Sequence, residues 1–350
     1  MNGVRIKDVA AKAGVSTATV SRVLHDNGYV SAAARERVED ALRESGYRIN
    51  AVARELRKRR TITIGLILHG ALSNPFVTEV VVGAEHAAAE QGFSVLLFNA
   101  RGDAEREYEC VETLLSRRVD GIVFTTAVSG DNVQRVVDAG VAAVEIERRL
   151  CPAAASVVVD NYDGAQEAMK HLLELGHRRI GYIGEPFPEA QARHEATDIA
   201  RRRFDAYRDA LREAGEPFDE ACVVRGDYPR EQGGWGGLET GAAYMDRLLA
   251  QAPDLTAVFA ASDLLAAGAL QTLYARGVRV PDRMSLVGFD DTFAPHLAPP
   301  LSTVRQPMFE MGFKAASLAI TLITDDRAEP PVERCAMSLV VRATTARPGA

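Results

Sequence analysis

The sequence predicts an α/β protein with a small, N-terminal all-α head, and three observations support this fold class. The first sixty residues show apolar side chains at helical spacing, interrupted by glycines. From about residue 61 onward, short apolar runs with few charges alternate with helical segments, which is typical of parallel sheets covered on both faces. Eight such runs in a chain of 350 residues predict two doubly wound parallel-sheet subdomains.

The head contains three predicted helices around one small apolar core. The first covers about residues 7–13, and Gly14 ends it because glycine adopts a left-handed conformation without a Cβ clash. Ser16 and Ser31 are good N-caps for the second and third helices, and Gly46 marks the end of the third. The predicted core consists of Ile6, Val9, Ala10, Ala13, Val20, Val23, Leu24, Ala34, Val38, Ala41 and Leu42.

The second predicted helix exposes the small side chains of Thr17, Ala18 and Ser21 together with Arg22. A helix-turn-helix presents such side chains to the major groove of DNA. The whole chain carries a net charge of −7, yet residues 1–60 hold 13 basic against 7 acidic residues and are net positive. A basic head on an acidic body concentrates phosphate attraction at one end, although a merely solvated basic terminus would show the same charge.

Residues 49–60 form a predicted hinge between head and body. Asn50 can cap a two-turn helix that exposes Leu56 and ends in a basic run. So short a helix is unstable alone in water, and it would order against DNA with Leu56 wedged between base steps of the minor groove. A flexible basic linker is an equally good interpretation of the same residues.

The body is predicted to alternate strands and helices. The candidate strands cover residues 61–68, 93–99, 121–125, 142–146, 156–159, 179–183, 257–260 and 285–289. The candidate helices cover residues 77–91, 105–117, 132–139, 164–175, 198–214, 240–250, 263–275 and 308–323. Open α/β sheets bind ligands beyond the carboxyl ends of their strands, so we expect a small molecule between the subdomains. Polar side chains at those ends include Thr125, Glu147, Ser262 and Asp290.

Composition argues against several other classes of protein. No run of about 18 apolar residues is present and the N-terminus lacks the apolar core of a signal peptide, so we expect a cytoplasmic protein without a membrane partner. The four cysteines have no paired spacing, which favours free thiols. Common catalytic motifs are lacking, so we expect neither an enzyme nor a cofactor.

Several motifs carry a resemblance to a known family. In the head they are Ile6-Lys7-Asp8-Val9-Ala10, Ala13-Gly14-Val15-Ser16, Thr19-Val20-Ser21-Arg22-Val23-Leu24, Ala53-Arg54 and Leu56. In the body they include Asn74-Pro75-Phe76, Asp120-Gly121-Ile122, Asp160-Asn161-Tyr162-Asp163-Gly164, Gly176-His177-Arg178, Gly288-Phe289-Asp290-Asp291 and Leu301-Ser302-Thr303-Val304-Arg305-Gln306-Pro307. With these motifs the whole chain resembles the LacI (lactose-repressor) family of bacterial regulators.

The resemblance implies a homodimer whose two heads read a palindromic operator in double-stranded DNA. Thr17, Ala18 and Arg22 would then face base edges. The phosphate contacts would come from Ser16, Thr19, Ser21 and Asn27. In the hinge, Asn50, Ala53 and Leu56 would lie in the minor groove. Ile49 stands where the family usually has proline, which removes a rigid helix start.

The resemblance also implies a body like that of periplasmic sugar-binding proteins, with three crossings between subdomains near Tyr162, Asp291 and Arg327. The expected domains are therefore a DNA-binding head (1–48), a hinge (49–60), a first effector subdomain (61–161 with 292–327) and a second one (162–291 with 328–345).

Arg203 matches the effector-binding arginine of the family, and its guanidinium could bind sugar hydroxyls or a carboxylate. Asp290 could accept from a hydroxyl, and Phe76 and Tyr228 could cover an apolar face. Alternatively, Asp290 caps a turn, the two aromatic residues belong to the core and Arg203 forms a surface ion pair. An apparent insertion around Trp235 follows, and Trp235 could take the place of Tyr228 as the stacking residue.

The sequence thus predicts a DNA-binding repressor controlled by a sugar or sugar derivative. A corepressor-dependent regulator, or a transport-like binding protein without a DNA role, is the alternative.

Overall fold

The computed structural model describes residues 4–25, 27–46, 60–70, 74–187, 199–226, 237–325 and 330–349. It divides the chain into two compact units, Met1–Thr61 and Ile62–Ala350. We call the first unit the head and the second the body. The predicted hinge residues Asn50, Ala53 and Leu56 lie outside the described residues.

Three helices form the described part of the head: α1 (Ile6–Ala13), α2 (Thr17–His25) and α3 (Ala32–Ser45). Gly14 ends α1 with φ +64°, as predicted, and the N–H of Val15 donates to the carbonyl of Ala10. Ser16 caps α2, because its Oγ accepts from the backbone N–H of Thr19 at 3.1 Å. Ser31 occupies the cap position of α3 but its side chain accepts no hydrogen bond there.

The head has one small core, centred on Val9, Val20 and Val38, which are fully buried. Ala10, Ala13, Val23 and Ala41 complete its buried part. The other predicted core residues lie at its edge and are half-buried: Ile6, Leu24, Ala34 and Leu42. A core of this size is expected to give a marginally stable module.

The described body contains two six-stranded sheets, each with helices on both faces. In spatial order the first sheet consists of β11 (Val332–Cys335), β5 (Ala155–Val159), β4 (Ala142–Ile146), β3 (Gly121–Thr125), β1 (Thr63–Leu68) and β2 (Ser94–Asn99). The second consists of β12 (Ser338–Val340), β10 (Ser302–Arg305), β9 (Ser285–Asp290), β8 (Ala257–Ala260), β6 (Ile180–Gly184) and β7 (Val223–Arg225). Every strand pair is parallel except β10 with β12.

The helices divide between the two sheets, and each sheet with its helices is a subdomain. On the first sheet pack α4 (Pro75–Glu90), α5 (Ala104–Ser116), α6 (Gly130–Asp138) and α11 (Met308–Thr324). On the second pack α7 (Asn161–Glu174), α8 (Ile199–Glu213), α9 (Leu238–Gln251) and α10 (Asp263–Ala275). The central strands β3 and β8 are buried along their whole length, as expected for parallel strands covered on both faces.

All eight predicted strands and all eight predicted body helices are present, with ends that differ from the predicted bounds by at most three residues. Four strands were not predicted: β7, β10, β11 and β12. They contain only three or four residues each, and three of them carry arginine or glutamate. Such segments lack the uncharged apolar run by which the longer strands are recognised.

The predicted crossings between subdomains need correction. The first, near Tyr162, agrees with the passage from β5 to α7. The second does not follow Asp291, because β10 pairs with β9 in the second sheet; the chain crosses only between β10 and α11. The third does not lie near Arg327, because β11 still pairs with β5 and β12 returns to β10. Residues 292–305 therefore belong to the second subdomain, and residues 332–335 to the first.

Helix α11, which follows the second crossing, packs against α4 at direct backbone contact. A Cβ added at Gly83 would overlap the carbonyl of Phe309, and one at Gly312 would overlap the carbonyl of Val80. The glycines thus allow the crossing helix to lie close on the first subdomain.

The four cysteines are free and buried. Within the described part of the chain, no helix is both long and apolar enough to cross a bilayer.

Candidate DNA-binding face and effector cleft

Helix α2 exposes the side chains that the sequence assigns to DNA. Ser16, Thr17, Ala18 and Arg22 are exposed, and Thr19 and Ser21 are half-buried. Asn27, beyond the helix end, is exposed as well, and its backbone N–H donates to the carbonyl of Arg22 at 3.1 Å. We call these seven residues the recognition face.

The opposite side of α2 holds this face in place. Val20 is fully buried and Val23 is 9% exposed, so the helix can turn only one side to solvent. The hydroxyl of Ser16 caps the helix and lies 2.9 Å from the hydroxyl of Thr19. Two predicted phosphate ligands are thereby fixed at the helix N-terminus, where backbone N–H groups and the helix dipole favour an anion.

In the body, carboxyl ends of strands from both sheets bring charged groups together. Glu147 follows β4 of the first sheet, and the charges of Arg203, Asp290 and Glu185 from the second subdomain act on it. We call this region the effector cleft. It is where the ligand of an open α/β protein is expected.

Two predicted effector residues of the first subdomain have buried side chains. Phe76 is 9% exposed and belongs to a core cluster with Val80 and Met311. Thr125 is 1% exposed, and its hydroxyl donates to the carbonyl of Ile67 at 3.3 Å. The core interpretation of Phe76 therefore describes its surroundings, and a ligand contact by either residue stays a prediction.

Arg203 is the best-defined candidate in the second subdomain. Its side chain is buried; Nε donates to Oδ1 of Asn161 at 2.9 Å and Nη1 donates to the carbonyl of Ala261 at 2.6 Å. The guanidinium lies over the ring of Phe289, 3.7 Å from its centroid, and Nη2 is 3.9 Å from Oδ1 of Asp290. The predicted alternative of a surface ion pair is wrong, since Arg203 is only 6% exposed.

Asp290 ends β9 and is hydrogen-bonded to Gln306, which lies at the second crossing. Its Oδ1 accepts from Nε2 of Gln306 at 2.8 Å, and its backbone carbonyl accepts from the N–H of Gln306 at 3.1 Å. Burial raises the pKa of the Asp290 carboxyl, and the charge of Arg203 only partly opposes this effect. In these contacts the side chain is bonded to Gln306 and does not cap a following turn, and a ligand contact by Asp290 stays a prediction.

Two further aspartates surround Asp290 and tie β9 to its neighbours. Asp263 is fully buried and accepts from the hydroxyl of Thr303 at 2.6 Å. Burial and the charge of Asp290 raise the pKa of the Asp263 carboxyl. Asp291 forms ion pairs of 2.6 Å with both Arg305 and Arg342. Strands β9, β10 and the C-terminal segment are therefore locked together immediately behind the cleft.

Glu147 is a charged residue of the first subdomain at the end of β4. Burial and the neighbouring charges of Asp290 and Glu185 raise the pKa of its carboxyl to about 7, although Arg203 and Arg148 act in the opposite direction. The residue adopts φ +67°. A non-glycine residue in this region is uncommon and costs about 1–3 kcal/mol, which persists only where the surroundings fix it.

Strained backbone recurs along the same edge. Thr126 after β3, Asp290 in β9 and Asp291 after it have φ of 55°, 122° and 62°. Together with Glu147, they place left-handed backbone at the ends of three strands from both sheets. Such clustering is typical of functional sites.

Ser262 is 8% exposed and caps α10, because its Oγ accepts from the N–H of Leu265 at 3.3 Å. Tyr228 lies outside the described residues. The sequence analysis did not select Asn161, Phe289 or Gln306 as site residues, although all three stand within the motifs that carry the family resemblance. Their role becomes visible only through their contacts with Arg203 and Asp290.

Comparison with known proteins agrees with both parts of the structure. Residues 5–50 match the bacterial regulatory proteins of the lacI family, and residues 169–345 match the periplasmic binding protein-like domain. The HTH-type transcriptional regulator CelR of Thermobifida fusca is 38% identical over 331 residues, which cover 92% of each chain.

Two solved structures show the same fold. A complex of the transcriptional regulator CelR with cellobiose has 35% identity and a TM-score of 0.70, covering 97% of this chain and 99% of that one. A Lac repressor dimer bound to operator and the anti-inducer ONPF has 27% identity and a TM-score of 0.83, covering 99% and 100%. Together with the helix-turn-helix head and the two-sheet body, these similarities show that the chain belongs to the LacI family of bacterial transcriptional regulators.

Proposed function

We propose that this protein is a homodimeric repressor that binds a palindromic operator and releases it when a sugar or sugar derivative occupies the effector cleft. It acts by binding rather than by catalysis, and in the cytoplasm, where its DNA target is. The observation that carries the proposal is the recognition face: polar side chains and Arg22 are exposed on a helix whose other side is buried.

The cleft supports control by a ligand. Arg203 and Asp290 are each hydrogen-bonded to a residue at a crossing between the subdomains, Asn161 and Gln306. A ligand that contacts Arg203 and Asp290 changes both of these bonds and so favours one arrangement of the subdomains over another. The predicted hinge, residues 49–60, shortly precedes β1 of the first subdomain in the chain. A change in the arrangement of the subdomains therefore has a covalent route to the hinge.

A sugar suits the groups at the cleft. Carboxylates accept hydrogen bonds from hydroxyls, and a guanidinium donates to them. The relative CelR has been solved with cellobiose. A neutral disaccharide is therefore the first ligand to test.

Dimerisation is supported by apolar side chains on neighbouring elements of the first subdomain. Val82 on α4, Leu97 on the edge strand β2 and Phe309 on α11 are 41–47% exposed. An exposed apolar patch next to an unpaired strand edge is typical of a protein interface.

The recognition face is tested by Arg22→Ala with a DNA site selected from a random pool by the purified protein. We expect affinity for that site to fall about 5- to 150-fold, as for loss of one base contact. Arg43→Ala is the matched control, because Arg43 is an exposed arginine of the head that pairs with Asp40 on α3. Equal losses for both variants would show non-specific charge attraction instead of recognition.

The hinge is tested by Leu56→Ala. We expect weaker operator binding with ligand affinity nearly unchanged, since a minor-groove wedge acts only on DNA. A gel shift and a ligand titration on the same preparation separate the two effects. Tighter operator binding in the presence of the ligand would make the protein corepressor-dependent.

A further inference from the structure

We infer that Met337, which packs over Gly164 where the three crossings between the subdomains meet, is a positioning residue for operator binding. Its fit at this place sets the equilibrium between arrangements of the two subdomains, and operator affinity follows that equilibrium. The inference rests on the proposed function and adds to it the place at which the subdomains are coupled.

The strand register brings the three crossings side by side. Strand β5 ends at Val159, directly before the first crossing, and its partner there is Cys335, the last residue of β11. Strand β10 ends at Arg305, directly before the second crossing, and its partner there is Ser338, the first residue of β12. The third crossing consists of the two residues between Cys335 and Ser338. It therefore starts beside the first crossing and ends beside the second.

Met337 lies in the third crossing and packs against both subdomains. Its half-buried side chain contacts the apolar core of the first sheet and that of the second. A methionine side chain is unbranched and flexible, so it can adapt to more than one arrangement of its neighbours. A rotation of one subdomain against the other has to change the contacts of Met337 with at least one core.

Gly164 provides the space for this side chain. It is buried in the first turn of α7, just after the first crossing. A Cβ added at Gly164 would lie 2.7 Å from Cε of Met337, closer than Cβ atoms approach their neighbours. The added atom would also lie 3.2 Å from Cζ of Phe289 and from Cγ1 of Val304. Glycine is unfavourable inside a helix, so close packing accounts for it here.

These four residues belong to segments that the crossings join, and we call them the junction. Gly164 follows the first crossing, Val304 precedes the second, Met337 lies in the third and Phe289 belongs to β9. Both Phe289 and Val304 are fully buried. The junction therefore connects all three crossings through side-chain packing.

The junction is also in contact with a candidate effector residue. The guanidinium of Arg203 lies over the ring of Phe289, 3.7 Å from its centroid. Nε of Arg203 donates to Asn161, which stands three residues before Gly164 on the same helix. A ligand that moves Arg203 therefore acts on the junction through Phe289 and through α7.

The fit of Met337 contributes to the free-energy difference between arrangements of the subdomains. A substitution that removes this fit shifts their equilibrium whether or not a ligand is bound. Since the predicted hinge shortly precedes β1 of the first subdomain, operator affinity should shift with it.

Met337→Ala in the full-length protein tests the inference without any ligand. Amide hydrogen exchange followed by mass spectrometry reports the opening of the crossings. A gel shift on the DNA site selected by the purified protein reports operator affinity. We expect faster exchange in peptides that cover residues 160–166 and 302–308, and an operator affinity changed about 2- to 30-fold. A fall in affinity means that the fit favours the operator-binding arrangement, and a rise means that it favours the releasing one; both support the inference.

Met245→Ala is the matched control. Met245 lies on α9 and is fully buried in the core of the second subdomain. Its loss should lower the free energy of unfolding at least as much as Met337→Ala does, because the removed side chain is more deeply buried. Exchange at the crossings and operator affinity should nevertheless stay at their wild-type values.

Gly164→Ala tests the same contact from the other side. The added Cβ displaces Cε of Met337, so we expect both measured quantities to change in the same direction as for Met337→Ala. In the Met337→Ala background, Gly164→Ala should have a clearly smaller effect, because the displaced group is already absent. Additive effects would show that the two residues act independently, and the inference would fail.

Unchanged exchange at both crossings in Met337→Ala overturns the inference, and so does an equal response of Met245→Ala. Faster exchange with unchanged operator affinity overturns it as well, because the junction would then not act on DNA binding. If the wild-type protein selects no specific DNA site, the proposed function fails, and the exchange data alone decide whether Met337 holds the crossings together.

Discussion

The two subdomains of the body share an architecture but use their strand ends differently. In the second, Arg203 and Asp290 are presented to the cleft and are held there by residues at the crossings. In the first, the predicted effector residues Phe76 and Thr125 are buried, and Glu147, after β4, is a charged residue on which Arg203 and Asp290 act. The candidate effector residues of the first subdomain are thus mostly part of its core, whereas a role of Arg203 and Asp290 in ligand recognition remains our proposal.

This difference indicates where ligand binding is converted into movement. The charged groups of the second subdomain contact Asn161 and Gln306, which lie where the chain passes between subdomains. In the first subdomain, Phe76 belongs to the buried core. Under the proposed function, a ligand would act on the crossings through Arg203 and Asp290.

Among the substitutions that test this difference between the subdomains, Phe76→Ala should have the largest effect. Because Phe76 is buried in the first core, the free energy of unfolding should fall by about 3–5 kcal/mol. Denaturant unfolding measures the loss. Tyr274→Ala is the control, since that ring is 89% exposed and its removal should change stability by about 0.5 kcal/mol or less. Unchanged stability with lost ligand binding would instead place Phe76 in the cleft.

Arg203→Ala, in contrast, should act mainly on ligand binding. The lost hydrogen bonds of a buried charged group are expected to weaken ligand binding about 10- to 150-fold, which abolishes the effector response at ordinary ligand concentrations. Operator affinity without ligand should remain. Fluorescence anisotropy on labelled operator, with and without ligand, measures both.

Arg208→Ala provides the comparison on the same helix, since Arg208 pairs with Asp205 at the surface. A response that survives the Arg203 change, or is lost equally in both variants, would contradict the assignment of Arg203 to the cleft.

Gln306→Ala is expected to change the coupling between ligand binding and operator affinity more than ligand binding itself. It removes the bond from Nε2 to Asp290, worth about 0.5–1.5 kcal/mol, so the ligand-induced change in operator affinity should shrink about 2- to 12-fold. Ligand affinity measured without DNA should change less. Gln134→Ala, which removes a half-buried glutamine of the first subdomain bonded to Asp138 and Cys151, is the matched control. Equal changes in ligand affinity and coupling would make Gln306 an ordinary ligand contact.

Thr125→Val should have the smallest effect. It removes a single hydroxyl contact of 3.3 Å to Ile67, and the expected loss of stability is about 0.5–1.5 kcal/mol with ligand affinity unchanged. Thermal unfolding and one ligand titration suffice. A marked drop in ligand affinity would show that the first subdomain contributes more to recognition than its packing indicates.

The sequence by itself determined the local structure of this protein. Helical spacing, the turn at Gly14 and the cap at Ser16 define the head, and uncharged apolar runs define eight of the strands. These features depend on neighbouring residues, whose preferences act whatever the rest of the chain does. The recognition face follows from this local structure, because the buried side of α2 determines which side chains are exposed on the opposite side.

Only the tertiary structure decided which distant groups meet. The short strands β10 and β11 gain their places from pairing with β9 and β5, and this pairing moves two of the crossings away from Asp291 and Arg327. The contacts of Arg203 with Asn161 and of Asp290 with Gln306 join residues 42 and 16 positions apart in the chain. These contacts have a physical cause. Packing of the helices on the sheets buries these polar groups, and buried polar groups are hydrogen-bonded to partners that no local pattern specifies.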